Sequence, residues 1–223
     1  MIFTFDAEAS KPTIKLKGEL FKYLIKVRRH EAGDTILFRN PANPSMLYGY
    51  KVDSIDGRDA LLRLESSEES VVAPKKSLHI GWCVIDPKSV EKVLPSLNEI
   101  GVEKISFIYC ERSQKSFKPD FSRLERILES SMGQCGRSTK MELGMYKNLK
   151  EFLQAFPDVK VFDFTDKILD TDADFTTVLI GCEGGFSKTE KELLSSKEVF
   201  RLDTPMVLRS ESAVMAVASK ILL

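Results

Sequence analysis

Two short segments near the end of the chain combine a bare backbone with charged side chains. The first, GCEGG (181–185), sets Glu183 beside Gly184 and Gly185, and the second, RSES (209–212), sets Arg209 two residues before Glu211. Paired glycines let the backbone approach a ligand closely or adopt a positive φ. A permanently charged arginine can stabilise an anion, and a carboxylate can accept a proton. Together the segments indicate a ligand site with charged groups, although RSES taken alone fits helix capping and an arginine–carboxylate pair better.

Both segments are expected at one edge of a β-sheet. GCEGG follows a predicted strand over 177–181 and precedes a helix that begins near Lys188, where Ser187 and Glu190 form an S-x-x-E capping box. RSES follows a last predicted strand over 199–202 and opens an apolar terminal helix. Ligands of open α/β sheets bind where strands end and helices begin, so we expect one ligand between the two loops. Neither loop is a G-x-G-x-x-G or a P-loop, which disfavours a Rossmann dinucleotide site and an NTPase.

Strands and helices alternate from about residue 78 onward. Asp86-Pro87 predicts a helix N-cap and a first-turn proline, and Gly101 ends the apolar stripe of that helix. Further strands are predicted over 78–85, 105–110, 141–146 and 159–164, and further helices from about 120 and around 149–153. This alternation predicts an α/β fold with a mostly parallel sheet.

The first part of the chain has a different pattern, rich in β-strands. Strand-like runs over 2–5, 35–38, 46–52 and 60–64 are separated by turn signals. One amphipathic helix is expected among them, with Leu20, Tyr23, Leu24 and Val27 on its apolar face. We therefore predict a small β-barrel with one helix, a polar linker over 65–76, and two domains, 1–72 and 73–223.

Composition restricts the class of protein. The chain of 223 residues is 43% apolar, with no long apolar run and no charged segment before an apolar one at Met1. We expect a folded cytoplasmic protein with no membrane span and no signal peptide. Cys83, Cys110, Cys135 and Cys182 are widely spaced and are expected to be reduced. The two histidines are far apart and show no zinc-site spacing, so we expect chemistry without a metal.

Basic residues cluster between Lys11 and Arg29, although the whole chain carries 33 basic and 33 acidic residues. Glu19 is the one acidic residue of that stretch. Such a local excess can meet RNA phosphates, and it is equally typical of a solvated, lysine-rich helix face. Under the first interpretation, RNA is bound by a basic strip that consists of Lys15, Lys17, Lys22, Lys26, Arg28 and Arg29.

Several motifs together resemble one known family. IGCEGGFSKTE (180–190) resembles the Ile-Gly-Pro-Glu-Gly-Gly-Phe/Leu-Ser signature of the ribosomal small-subunit RNA (uracil-N3) methyltransferases called RsmE, in the SPOUT superfamily, and LRSESAVMA (208–216) resembles their Leu-Arg-Thr-Glu-Thr-Ala segment. Further family segments are matched, in order, by YLIKVRRHEAGDTILF (23–38), NEIGVEKI (98–105), ERSQKS (111–116) and QCGRS (134–138). Cys182 stands where the family usually has proline. The helix after Pro87 lacks the family's Lys-Ala-Thr, so no roles are carried over there.

The resemblance implies a fold, a methyl donor and a substrate. The fold is an N-terminal PUA-like β-barrel that binds RNA, followed by a C-terminal SPOUT α/β domain with a trefoil knot, through which the protein forms a homodimer. The substrate is a uridine in the decoding region of 16S ribosomal RNA, methylated at N3 on the small ribosomal subunit. The donor is S-adenosyl-L-methionine (SAM), and the matched segments assign its binding to Leu179, Ile180, Gly181, Glu183, Gly184, Gly185, Leu202, Leu208, Ser210, Ser212 and Ala213.

Methylation at uracil N3 suggests roles for the charged residues. N3 must lose its proton, which leaves negative charge on the two carbonyl oxygens of the base. We expect Arg209 to orient the uracil, and Glu211 to act as base or to position cofactor and substrate; a structural pairing with Arg209 is the alternative for Glu211. Arg112, Gln134 and Arg137 are expected to contact RNA, with surface ion pairing as the alternative for the arginines. Because N3 lies on the paired edge of uracil, the target must be unpaired or extruded.

Two other functions stay open at this point. One is a SPOUT methyltransferase that acts on tRNA or on a ribose 2'-hydroxyl, against which the barrel-first order and the LRSES segment argue. The other is a non-catalytic RNA-binding or assembly factor that uses the barrel alone. A test of SAM binding distinguishes a non-catalytic factor from an enzyme. The position of the methyl group in the product distinguishes methylation of uracil N3 from methylation of a ribose or of tRNA.

Overall fold

The computed structural model describes residues 2–169 and 175–223. These residues form two compact units, each with its own hydrophobic core. The first unit extends to Ala73 and includes Met132–Thr139, and the second comprises Pro74–Ser131 and Lys140–Leu223. The domain division predicted from the sequence, at 72/73, assigns residues 132–139 to the other domain.

A five-stranded β half-barrel forms the body of the first unit. Its strands are β1 (Thr4–Phe5), β2 (Thr13–Leu16), β3 (Thr35–Asn40), β4 (Asn43–Asp56) and β5 (Asp59–Glu69). Strands β3, β4, β5 and β2 are antiparallel neighbours in that order, and β1 pairs with β3 in parallel. Along β2, Ile14 and Leu16 are buried between exposed neighbours, so each strand gives one face to the core.

Two sequence predictions for this unit were wrong in part. Strand β2 was missed because its alternating run is only four residues long. The predicted linker over 65–76 begins too early, since β5 continues to Glu69 in register with β4. The charged residues over 65–69 lie on an exposed strand, and polarity alone does not distinguish such a strand from a linker.

The helix of the first unit is α1 (Gly18–Phe21), which continues as a π-helical turn (Lys22–Val27). A π-helical turn holds more residues than an α-helical turn, so the buried positions shift along the sequence. Phe21, Leu24 and Ile25 are buried, whereas Val27 is 66% exposed. The prediction that Val27 belongs to the apolar face was therefore wrong.

The second unit is built on a six-stranded parallel sheet, which confirms the predicted α/β class. Its strands are β6 (His79–Cys83), β7 (Lys104–Ile108), β8 (Glu142–Tyr146), β9 (Lys160–Phe162), β10 (Thr177–Ile180) and β11 (Val199–Phe200). Its helices are α2 (Pro87–Ile100), α3 (Phe121–Cys135), α4 (Leu149–Ala155), α5 (Lys188–Leu194) and α6 (Ser210–Leu222), and the last four residues of α3 belong to the first unit. Along the described chain, no helix combines the length and the apolar character needed to cross a bilayer.

Local signals mark the helix ends as the sequence predicts. The Asp86 side chain accepts a hydrogen bond from Ser89 N at the start of α2, and Gly101 ends that helix with φ +107°. Ser187 and Glu190 form the complete capping box at the start of α5. These ends depend on residues that are close in sequence, which is why they were predictable.

Strand order determines which loops meet at the edge of the sheet. The order is β11-β9-β10-β6-β7-β8, so β9 lies between β10 and β11. Because all three strands are parallel, their carboxyl ends lie at the same edge. A third loop, after β9, therefore lies beside the loops after β10 and β11, and the sequence did not predict its place there.

Cys83 and Cys110 form a disulfide, so the expectation of four reduced cysteines was wrong for this pair. Cys83 ends β6, and Cys110 lies just beyond β7, the neighbouring strand. The pairing of these strands brings together two residues that are 27 positions apart, and sequence spacing cannot show this. Cys135 and Cys182 are free thiols.

Candidate active site

A cavity of about 300 Å³ opens at the carboxyl edge of the parallel sheet. It lies where β9, β10 and β11 end and α6 begins, and its size is at the lower end of the range of about 300–1,000 Å³ that is usual for ligand pockets. Its lining consists of Phe162, Asp163, Phe164, Ile180, Gly181, Cys182, Glu183, Gly185, Phe186, Arg201, Leu202, Thr204, Met206, Val207, Leu208, Arg209, Ser210 and Ala213. The structure thus brings the GCEGG and RSES segments to one cavity.

Three loops build the walls of the cavity. They are the β9 loop (163–169), the glycine loop (181–186) and the closing loop (202–209). The β9 loop returns to the end of β11, since Leu169 N donates to Arg201 O at 2.8 Å and Arg201 N donates to Lys167 O at 2.9 Å. Backbone hydrogen bonds therefore hold the first of the three loops in place.

Ser210, the first residue of α6, links the helix to two strands of the sheet. Its hydroxyl donates to Gly181 O at 2.6 Å and accepts a hydrogen bond from Trp82 Nε1 at 2.8 Å. Trp82 and Ser210 are both buried, so loss of either partner would leave a polar group without water. Ser210 lines the cavity, as the sequence predicts, and it also anchors the start of α6 beneath the glycine loop.

The glycine loop turns sharply after Cys182. Gly185 N donates to Cys182 O at 2.9 Å, and Gly185 has φ +64°, a conformation that residues with a side chain rarely adopt. Burial raises the pKa of the Cys182 thiol, which keeps it protonated and poorly nucleophilic at neutral pH. The cysteine in this turn is therefore a packing residue of the cavity wall.

Gly184 is required for a different reason, which is the closeness of Arg112. A Cβ at position 184 would lie 3.2 Å from Arg112 Cβ and 3.3 Å from its Cδ, tighter than ordinary packing. Arg112 Nη1 donates to Gly184 O at 2.5 Å. The arginine predicted to contact RNA is thus in contact with the glycine loop, and no sequence signal indicated this.

Arg209 and Glu211, the two predicted catalytic residues, differ in exposure. The Arg209 side chain is 83% exposed and lines the cavity, whereas the Glu211 side chain is 18% exposed and lies outside the residues that line it. Their Nη1 and Oε1 atoms are 3.8 Å apart, which makes a loose ion pair. The Arg209 side chain is therefore accessible to solvent at the cavity, and the Glu211 carboxylate lies beside it.

The structure distributes the eleven predicted SAM-binding residues between the cavity and its surroundings. The cavity is lined by Ile180, Gly181, Glu183, Gly185, Leu202, Leu208, Ser210 and Ala213. Leu179 packs in the core of the sheet, Gly184 lies under Arg112, and Ser212 is exposed on α6 outside the lining. Leu179, Gly184 and Ser212 are thus the three predicted residues that do not line the cavity.

Several polar or aromatic residues of the lining were missed, and four of them come from two strand ends. Phe162 ends β9, Asp163 and Phe164 follow it, and Arg201 follows β11. Asp163 also pairs with Lys191, at 3.2 Å between Oδ2 and Nζ. The run FDFTD (162–166) at the end of a predicted strand was an available signal, but using it required the strand order, which is set by tertiary pairing.

The basic strip lies on the first unit, and all six of its residues are exposed. Lys15 pairs with Asp59 and Lys22 with Glu19, both at 2.7 Å. Lys26 lies 5.6 Å from the centre of the Phe21 ring and Arg28 lies 5.7 Å from that of Tyr23, which orients both cations while leaving them exposed. The strip therefore offers accessible positive charge, as its predicted role requires.

The two remaining residues predicted to bind RNA, Gln134 and Arg137, differ sharply. Gln134 is exposed near the end of α3. Arg137 is only 5% exposed, and its Nε donates to Thr139 O at 2.7 Å. Arg137 thus fits a structural role in the first unit better than the predicted RNA contact.

Comparison with known proteins agrees with this geometry. A family model described as RNA methyltransferase domain matches residues 73–222. The ribosomal RNA small subunit methyltransferase E of Helicobacter pylori is 40% identical, and the match covers 98% of each chain. The enzyme of the same name from Aquifex aeolicus is 25% identical over 98% of this chain and 97% of its own.

A solved structure shows the same fold at low sequence identity. It is the ribosomal RNA small subunit methyltransferase E from Neisseria gonorrhoeae bound to S-adenosyl methionine, 16% identical, with a TM-score of 0.77 over 98% of this chain and 95% of that one. The family match covers most of the chain, and the full-length relative from Helicobacter pylori is well above the identity at which family membership is secure. The chain therefore belongs to the ribosomal RNA small subunit methyltransferase E family.

Proposed function

We propose that this chain transfers the methyl group of SAM to N3 of a uridine in the decoding region of 16S ribosomal RNA, acting on the small ribosomal subunit. Family membership supports SAM-dependent methylation of ribosomal RNA. The observation that carries the proposal is the shared cavity, where the glycine loop and the closing loop meet and Arg209 lies exposed at the edge. Such an arrangement provides a cavity for the methyl donor, SAM, and a charged side chain, Arg209, for the uracil that accepts the methyl group.

The lining of the cavity fits SAM. SAM carries a positive sulfonium and ammonium group together with a negative carboxylate. The lining offers both signs of charge, negative from Asp163 and Glu183 and positive from Arg201. The remaining lining is mostly apolar, and the glycines leave room for a ligand against the backbone. When bound, SAM supplies a methyl carbon on a sulfonium, whose sulfur becomes a neutral thioether after attack by a nucleophile.

Arg209 has the exposure and the charge needed to act on the uracil. Loss of the N3 proton places negative charge on the carbonyl oxygens, and a guanidinium close to them stabilises that anion. The Arg209 side chain reaches out from the cavity edge, so it can meet a base presented from solvent. Its task is to hold the deprotonated base in the orientation that transfer needs.

Glu211 fits the alternative expectation, a pairing with Arg209, better than a role as base. It lies outside the cavity lining, and its Oε1 is 3.8 Å from Arg209 Nη1. From this position the carboxylate biases the orientation of the arginine, while a base would need to reach the substrate proton. We therefore assign Glu211 to the positioning of Arg209.

The finer features implied by the family complete the proposal. The half-barrel with its basic strip acts as the PUA-like RNA-binding domain, and phosphate contacts from the strip supply affinity without reading sequence. The parallel sheet belongs to a SPOUT domain whose chain is threaded through a trefoil knot and which forms a homodimer. The protein works in the cytoplasm, where its substrate is assembled.

The test is a methyl-transfer assay with labelled SAM on purified small subunits and on naked 16S RNA, alongside calorimetry of SAM binding. We expect SAM binding, and transfer to the subunit at least as fast as to naked RNA. Binding without transfer to either RNA, but with transfer to tRNA, would point to the alternative SPOUT substrate. No SAM binding would favour an RNA-binding assembly factor and would overturn the proposal.

A further inference from the structure

A buried carboxylate outside the cavity joins two loops of the second unit. Glu190, on the first turn of α5, is only 3% exposed. Both of its oxygens accept hydrogen bonds from backbone amides, Oε2 from Ser187 N and Oε1 from Glu111 N, each at 2.9 Å. The first bond belongs to the capping box of α5. The second reaches a residue 79 positions earlier in the chain, which a helix cap does not need.

Glu111 belongs to a tight turn that follows β7, here called the arginine turn (110–113). Ser113 N donates to Cys110 O at 3.1 Å and closes the turn. Cys110 N donates to the Ser113 hydroxyl at 3.3 Å. The turn is therefore internally hydrogen-bonded, and the Glu190 carboxylate holds it through the Glu111 amide.

The residue after Glu111 makes a second link between the same two regions. Arg112 Nη1 donates to Gly184 O at 2.5 Å, and the side chain of Arg112 covers the face of Gly184. Glu190 lies on the first turn of α5, just after the glycine loop, and Gly184 lies in the middle of that loop. The arginine turn is thus tied to the glycine loop at one point and to the helix that follows it at another.

We propose that Glu190 is a positioning residue for the SAM-binding loop: by holding the Glu111 amide it places Arg112 on Gly184, and Arg112 in turn holds the shape of the glycine loop at the cavity. The inference rests on the proposed function only in taking SAM as the ligand. It assigns the ERSQKS segment to the architecture of the donor site, whereas the sequence analysis assigned Arg112 to RNA.

A carboxylate suits this position because it offers two acceptors and no donor. Glu190→Gln keeps one oxygen, which can still complete the capping box with Ser187 N. Its amide group then faces the Glu111 N–H, and two donors cannot satisfy each other. The substitution therefore breaks the link to the arginine turn and leaves the helix cap. Ser187→Ala is the matched control, since it weakens the cap at Glu190 N and leaves the link to Glu111.

The first measurement is amide hydrogen exchange of residues 110–113 in the protein without SAM. We expect faster exchange of the Glu111 amide in Glu190→Gln than in the wild type, and wild-type exchange there in Ser187→Ala. The second measurement is SAM affinity by calorimetry. We expect about tenfold weaker binding in Glu190→Gln, because a hydrogen bond to a charged group is lost and a buried donor is left unpaired, and a change within about twofold in Ser187→Ala.

The route through Arg112 is tested by a double-mutant cycle. If Glu190 acts through Arg112, Glu190→Gln combined with Arg112→Ala binds SAM no more weakly than Arg112→Ala alone. Additive losses, or unchanged Glu111 exchange in Glu190→Gln, would overturn the inference. A wild-type protein that fails to bind SAM would instead overturn the proposed function, and the exchange of the Glu111 amide would still decide whether Glu190 holds the turn.

Discussion

The cavity of the second unit and the basic strip of the first unit use polar groups in opposite ways. Around the cavity, Trp82, Ser210 and Glu190 are buried, and each is held by hydrogen bonds of 2.6–3.1 Å. In the basic strip, all six cations are exposed, and four of them contact a surface carboxylate or an aromatic ring. The molecule thus fixes geometry in one region and leaves charge accessible to solvent in the other.

This difference matches the two tasks of an RNA methyltransferase. Transfer of a methyl group needs the donor carbon and the acceptor nitrogen aligned to within fractions of an ångström, and that alignment requires rigid surroundings. Affinity for a phosphate backbone comes from released counterions, which depends on the number of charges more than on their positions. Substitutions around the cavity should therefore change SAM binding or methyl transfer, and substitutions in the basic strip should change RNA affinity.

The largest effect is expected from Arg209→Ala. We propose that the exposed guanidinium stabilises the uracil anion, so its loss should lower kcat for methyl transfer by about 100-fold, with SAM affinity within about twofold by calorimetry. The kcat of Arg209→Lys should lie between those of the wild type and Arg209→Ala, because lysine keeps the charge but lacks the planar guanidinium. Full methylation by Arg209→Ala would remove this residue from the mechanism.

Next in size is the effect of Ser210→Ala. The substitution removes the hydroxyl that bonds both Trp82 Nε1 and Gly181 O away from water. We therefore expect the free energy of unfolding to fall by about 2 kcal/mol. SAM affinity should fall by about tenfold as the glycine loop loosens. Ser210→Thr keeps the hydroxyl and should bind SAM nearly as the wild type does. Ser212→Ala, an exposed serine of the same helix, should leave both quantities unchanged; an equal loss there would contradict the assignment.

A smaller effect is expected in the basic strip, and it should appear only with RNA. Lys17→Ala combined with Lys26→Ala removes two exposed cations, so affinity for small-subunit RNA at low salt should fall by about tenfold and the slope of log K against log salt by about 2. Lys15→Ala combined with Lys22→Ala is the matched pair, and its effect should be smaller because Asp59 and Glu19 already offset those charges. Weaker SAM binding in either double variant would contradict the claim that the basic strip acts on RNA alone.

The smallest effect on activity is expected from His79, which should influence stability alone. Its Nε2 lies 2.8 Å from the Ser106 hydroxyl, and burial, with a smaller contribution from Lys104, lowers its pKa to about 4 from 6.5. Between these values the unfolded chain binds a proton that the folded chain does not, so stability is full above pH 6.5 and falls as the pH falls toward 4. Denaturant unfolding should show that the free energy of unfolding decreases from pH 7 to pH 5. This decrease should be about 1–2 kcal/mol larger in the wild type than in His79→Gln. Equal losses would show that His79 is not the titrating group.

Features set by neighbours in sequence could be predicted, and features set by strand order could not. The capping box of Ser187 and Glu190 and the sharp turn at Gly185 follow from local chemistry, and the sequence predicts both. Asp163 and Phe164 reach the cavity only because β9 pairs between β10 and β11, which no local pattern reveals.

Residue roles were harder to predict than residue positions. Glu190 was recognised as a cap, but its second oxygen bonds an amide 79 positions away. Arg112 was assigned to RNA, and the structure places its guanidinium on the carbonyl of Gly184. Both cases involve a contact between segments that are distant in sequence. The residue type therefore indicated a polar contact, but the sequence did not show which partner the residue contacts.

The central claim is that two loops at the end of the parallel sheet direct a methyl group to a ring nitrogen of uracil in small-subunit RNA. The most direct measurement is mass spectrometry of 16S RNA from small subunits of a strain that lacks this gene, after incubation with the purified protein and SAM. The account predicts one new methyl group, on N3 of a decoding-region uridine, which is absent with Arg209→Ala. A methyl group on a ribose 2'-hydroxyl, or no new methylation in the presence of bound SAM, would contradict it.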